Sequence, residues 1–132
     1  MSMSKTERVA VIRDYLSNEG YAPHVDDDGD LLFKCEGGSY FIIIDEQDGE
    51  FYRLCYPNFW SIDNEPERAQ VVKAAQAATG KTKVAKVFTV RDNTWASIEL
   101  FLGSADQMNV VFKRSMSALQ TAVRNFREAM SA

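Results

Sequence analysis

The stretch LLFKCEGGSYFIIIDEQDGEFYRLCY, residues 31–56, decides the architecture. Three apolar runs rich in β-branched and aromatic residues are separated by EGG and DEQDGE, clusters that favour turns and interrupt helices. With the segment before it, across DDDGD, the pattern predicts four short strands at 21–25, 30–36, 39–45 and 50–56, joined as an antiparallel meander. SYFIIID is the most apolar of the four and β-branched at three consecutive positions. It is therefore expected at the centre of the sheet with both faces covered.

Helical periodicity brackets the meander. Val9, Ile12, Tyr15 and Leu16 recur at helical spacing within 4–19, with Arg8, Arg13, Asp14 and Glu19 elsewhere on the surface, and Gly20 ends this first helix. A second helix opens in SIDNEPERAQVVKAAQAATG, where Asn64 and Glu67 resemble a capping box and Pro66 sits in the first turn; Asp63 is an equally good cap. Val71, Val72, Ala74, Ala75 and Ala78 give it a face of small residues suited to close approach to a sheet, and Gly80 is its expected end. KVAKVFTV, RDN and TWASIELFLG read as a hairpin. A long helix follows from about Ala105 to Met130, striped by Phe112, Met116, Leu119, Val123, Phe126 and Met130. The order is α-β-β-β-β-α-β-β-α, an α+β fold with an antiparallel sheet and three helices.

Length and composition frame the class of function. At 132 residues, 45% hydrophobic and 26% charged, the chain fits one globular domain over 1–132 without disulfide staples. The N-terminus lacks the apolar run of a signal peptide, and no window approaches the roughly 18 apolar residues of a membrane span. A cytoplasmic protein with no membrane partner is expected. The net charge of −4 argues against a broad nucleic-acid footprint. A local patch stays open: Lys113, Arg124 and Arg127 line one side of the last helix, read either as a nucleic-acid contact or as solvated cations suited to a helix C-terminus.

Few residues suggest chemistry. An EF-hand starting at Asp26 finds Asp28 and Asp30 at its third and fifth positions, but Leu31 where the sharp turn needs Gly and Gly37 where a bidentate Glu closes the site. DDDGD is thus expected to be a hairpin turn in which Gly29 supplies an unusual dihedral. His24 is the single histidine, too few for a zinc site without thiolates beside it. Cys35 and Cys55 fall on separate strands and are expected to be reduced and buried; Cys35 with His24 as nucleophile and base is the thiol-enzyme alternative. No phosphate-cradling glycine loop and no carboxylate pair in an apolar setting stands out. The expectation is no enzyme, with no catalytic, cofactor-binding or metal residue and no small-molecule substrate. YPNFW, residues 56–60, is either a ligand pocket or the corner that seats the second helix.

Three longer segments, YLSNEGYAPHVDDDGDLLFKCEGGSYFIIID, YPNFWSIDNEPERAQVVKAA and VFKRSMSALQTAVRNFRE, resemble the YbjN-like family of bacterial sensory-transduction regulators, most tellingly at GGSYFI, PNFWSID and WASIELFL. The resemblance covers nearly the whole chain. It implies a fold similar to type III secretion chaperones, small α+β proteins that hold partner polypeptides, often as homodimers, and a role in bacterial signalling or stress response. It carries over no active-site residue.

Strand alternation places a binding surface. In TWASIELFLG, Ala96, Ile98, Leu100 and Leu102 point to the helices, while Trp95, Ser97, Glu99 and Phe101 point away. Arg53, Lys34, Glu36 and Lys86 join the second set from other strands. Either the second helix covers this face or it meets a protein, since aromatics with Arg are a common interface composition. Trp95, Phe101, Glu99 and Arg53 are the candidate partner-binding residues of a non-enzymatic protein-binding module with a regulatory or chaperone-like role, the partner being a second copy or another polypeptide. A nucleic-acid-binding regulator using the last helix is the alternative.

Overall fold

A computed structural model describes residues 3–132. The elements are α1 (Lys5–Asn18), β1 (His24–Val25), β2 (Leu31–Cys35), β3 (Gly38–Ile44), β4 (Phe51–Tyr56), α2 (Glu65–Lys81), β5 (Ala85–Val90) and β6 (Asn93–Phe101), then a single 3-10 turn (Ala105–Gln107) leading into α3 (Met108–Ser131). The fold is α+β, and its six strands form one antiparallel sheet ordered β1-β2-β3-β4-β6-β5. Contacts gather into two compact units: the chain through Leu54 with Glu99–Lys113, and Cys55–Ile98 with Arg114–Ala132.

In the first unit, α1 starts at a reciprocal capping box: the Ser4 hydroxyl accepts from Glu7 N–H at 3.1 Å, and the Glu7 carboxylate accepts from Ser4 N–H at 2.9 Å. The Ser4 N–H donating to it, and secondarily the Ser4 side chain, hold the Glu7 carboxyl below its ordinary range. The β1–β2 turn is closed from within. Asp26 Oδ1 accepts from the N–H groups of Asp28 and Asp30, both at 2.9 Å, and Gly29 takes φ +82° as the turn requires. Glu36 and Gly37 link β2 to β3 with positive φ at both positions, 50° and 82°, matching the strands' twist. Leu31, Phe33, Tyr40, Ile42, Ile44, Tyr52 and Leu54 point to one face and are buried. The helical pieces pack there, with Phe112 tilted against Phe33 at 5.5 Å between centroids.

Two expectations need correction here. β3 does lie inside the sheet, yet burial is confined to one face, at Gly38, Tyr40, Ile42 and Ile44; Phe41 and Ile43 on its other face are half-buried and Ser39 is exposed. A run of β-branched residues records strand propensity, which does not by itself reveal whether a second layer covers the far face. Arg8, expected on the surface, is 3% exposed. It stands one helical turn before Ile12 on the inward side of α1, its guanidinium lies 5.6 Å from the Tyr52 ring centroid, and Nη2 donates to the Asp45 carbonyl.

In the second unit Asn64 is the cap of α2, its side-chain oxygen accepting from Glu67 N–H at 2.8 Å. The capping box is shifted by one residue, because Glu67 accepts from Asp63 N–H instead of from Asn64, and also from Trp60 Nε1 at 3.2 Å. Gly80 does not stop the helix, which continues to Lys81; Thr82 ends it, its N–H and hydroxyl both donating to the Ala78 carbonyl. Arg91 and Asp92 make the two-residue turn between Val90 and Asn93, with Arg91 at φ 55°, and Arg68 of α2 clamps the turn through the Arg91 carbonyl and the Asp92 carboxylate. Phe59 and Trp60 pack edge-on against Phe126 of α3 at 5.3 and 5.5 Å, so YPNFW is a packed corner that seats α2 through the Trp60–Glu67 hydrogen bond. Among the described residues no helix is long and apolar enough to cross a membrane.

Candidate functional site

The second face of the sheet, opposite the packed helices of the first unit, carries the candidate site. Alternation along β2, β3, β4 and β6 brings Leu32, Phe41, Ile43, Phe51 and Phe101 to it, all half-buried except Phe101, which is 78% exposed. Leu32 and Phe41 are direct cross-strand partners, as are Lys34 and Ser39. Phe51 and Phe101 lie 5.8 Å apart between ring centroids. Beside them Arg53 reaches toward Glu99, with Nη2 3.7 Å from Oε2, and its guanidinium stands 6.0 Å from the Phe51 centroid. Arg53 Nε is enclosed and finds no hydrogen-bond partner among the described residues. The ion pair is half-exposed and longer than a hydrogen bond, so it orients the guanidinium and contributes little stability.

Three of the four residues singled out from the sequence thus come together: Arg53, Glu99 and Phe101. Trp95 belongs to the second unit, where it is half-buried, packs 6.4 Å from the Phe88 ring and donates from Nε1 to Asn58 Oδ1 at 3.0 Å. Ser97, on the same side of β6 as Trp95, is fully buried. Exposure is therefore not continuous along that side of the strand. Leu32, Phe41, Ile43 and Phe51 were missed as site residues. Their signal was present as alternation in LLFKC, SYFIIID and FYRLC, but reading β3 as covered on both sides assigned it to the core.

The chemistry-bearing candidates are engaged otherwise. Asp30 Oδ1 accepts from Ile44 N–H at 3.1 Å and meets the Lys5 ammonium at 3.1 Å, while Lys5 also donates to the Asp28 carbonyl. A lysine thus stands where a cation would have to enter the acidic turn. Cys35 is half-buried and Cys55 buried, and neither is in a disulfide. Burial and the neighbouring Glu36 push the Cys35 thiol up, against a smaller opposing effect of its hydrogen bond with Tyr21. His24 is paired with Leu32, three residues along β2 from Cys35, or about 10 Å of strand. A thiol pushed up and a histidine that far along the strand do not form the activated Cys35–His24 pair. On α3, Lys113 is held at 2.6 Å by Glu19, which raises the lysine's pKa, while Arg114, Arg124 and Arg127 are exposed.

No family model matches this chain, and no curated protein matches it. Its fold does match a crystal structure of an uncharacterized protein from Methanothermobacter thermautotrophicus, with a TM-score of 0.60 at 12% identity over 93% of this chain and 99% of that one. At that identity the likeness speaks for the fold alone.

Proposed function

We propose that this chain is a non-enzymatic, cytoplasmic protein-binding module with a regulatory or chaperone-like role, as its resemblance to the YbjN-like family implies, and that it holds its partner on the second sheet face of the first unit. The observation that carries this reading is Phe101, a largely exposed aromatic at the end of a row of half-buried apolar side chains. Contiguous apolar surface on a folded chain marks interaction sites. Covering one such side chain contributes about 1.5–3 kcal/mol, and the adjacent Arg53 and Glu99 supply orientation. The engagement of Lys113 by Glu19 favours this reading over a nucleic-acid contact along α3, because it removes one of the three cations on that flank from the phosphate contacts such binding needs.

A photo-crosslinking amino acid in place of Phe101, with the same group at exposed Asn109 as the comparison, tests the location. Discrete crosslinked polypeptides, or crosslinked pairs of this chain, are expected at position 101 and not at 109. Equal, diffuse labelling at both positions would remove the assignment.

A further inference from the structure

The exposed Phe101 stands at the acidic end of the first unit. Leu102 N–H donates to the Glu50 carbonyl at 2.8 Å, and Phe51 lies 5.8 Å from Phe101 between ring centroids, so the Asp45–Glu50 turn closes beside the exposed ring. The Asp26–Asp30 turn reaches the same end of the sheet, because Asp30 Oδ1 accepts from the N–H of Ile44, the last residue of β3. Asp27, Asp28 and Glu46 line one open cleft there. The whole first unit has six Lys and Arg against fourteen Asp and Glu, a charge of −8 in a chain whose total is −4.

Turn chemistry accounts for only part of this charge. Asp45 Oδ1 accepts from the N–H groups of Gln47 and Asp48 at 2.9 and 2.6 Å, and Asp48 Oδ1 accepts from Glu50 N–H at 3.0 Å, as short polar side chains do in turns. The exposed carboxylates of Glu46 and Glu50 make no hydrogen bond or ion pair among the described residues. Two cations near them are committed elsewhere: Lys5 to Asp30, and the buried Arg8 to the Asp45 carbonyl. On the face itself Arg53 stands against Glu99, and Lys34 lies toward the other end of β2. The exposed end of the apolar row is thus rimmed by carboxylates.

Building on the reading of this face as a partner surface, we propose that its occupant is a basic amphipathic polypeptide segment, which sets apolar side chains over Phe101 and Phe51 and Lys or Arg against Glu46 and Glu50. Charge complementarity of this kind steers encounter and rejects wrong partners. A second copy docked about a two-fold axis at Phe101 would bring the two acidic turns together, like charge on like. Nucleic acid and anionic membrane surfaces meet the same repulsion.

The test is fluorescence anisotropy with a labelled peptide of repeating Lys-Leu-Lys-Phe, against its Ser-Leu-Ser-Phe and Glu-Leu-Glu-Phe counterparts and polylysine. Saturable binding of the Lys-Leu-Lys-Phe peptide alone is expected, weakening as salt rises. Phe101→Ala, and separately Glu46→Lys combined with Glu50→Lys, all at exposed positions, should each weaken it about tenfold or more with unchanged circular dichroism. Equal binding of the Ser-Leu-Ser-Phe peptide, lost only on Phe101→Ala, would overturn the basic occupant and leave the face standing. Loss on charge reversal with indifference to Phe101→Ala would overturn both. No binding of the Lys-Leu-Lys-Phe peptide, equal binding of polylysine, or a dimer in light scattering that Phe101→Ala breaks would also overturn the proposal.

Discussion

Arg8 shows how a single side chain can belong to the core against its type. Its stem packs on the inward side of α1, Nη2 is satisfied by the Asp45 carbonyl, and Nε and Nη1 are enclosed without hydrogen-bond partners among the described residues. The Tyr52 ring beneath the guanidinium offsets part of that cost. Arg8→Ala should therefore lower stability by about 2 kcal/mol, through the lost ring contact, the lost stem packing and the orphaned carbonyl. Arg8→Met, which keeps the stem without the buried charge, should come within about 1 kcal/mol of the parent or exceed it. Urea denaturation of the two variants checks this, and equal losses in both would mean that the charge itself is needed. The position was legible in the sequence, since Arg8 and Ile12 are one turn apart, but residue type outweighed spacing in the reading. Cys35 is the reverse case: a small apolar-like residue in a strand, yet only half-buried at the end of β2 next to the Glu36 turn.

At the scale of elements, local rules succeeded wherever the deciding partner was close in sequence. The meander turns, the cap at Asn64 and the α3 stripe all follow from residues within a few positions of one another. The α2 end failed for the same reason in reverse. Gly80 is a common stop, but the Thr82 hydroxyl and N–H satisfy the Ala78 carbonyl, so no left-handed glycine is required. The acidic turn is the element whose chemistry depended most on a remote residue. Asp26 serves backbone N–H groups, and Asp30 is bound by Lys5 from α1. Calcium would have to displace both sets of bonds, so calorimetric titration should detect nothing tighter than about millimolar. Micromolar binding would show that the turn is a site.

At the scale of the molecule, the sequence reading reached the six strands and three helices in order, whereas the grouping of residues on the sheet faces depends on pairings between distant segments. Nothing local connects Phe51 to Phe101 or Arg53 to Glu99; adjacency of β4 and β6 in the sheet makes both pairs. Hence Arg53, Glu99 and Phe101 could be named from alternation, while the same alternation at Leu32, Phe41, Ile43 and Phe51 reads as core, because whether a second layer covers β3 is not written in its local sequence. The two ends of β6, one bearing Trp95 and the other Phe101, differ in what their aromatic side chains meet. Trp95, tied to Asn58 and Phe88, should act on stability. Phe101 should act on binding, because an exposed aromatic with near-neutral neighbours has the character of an interface hot spot. The most direct test is Phe101→Ala, followed on one preparation by melting temperature, molar mass from light scattering and recovery of captured polypeptides. An unchanged melting temperature is expected, with self-association or capture weakened by about 2 kcal/mol or more. A lowered melting temperature with association and capture intact would contradict it.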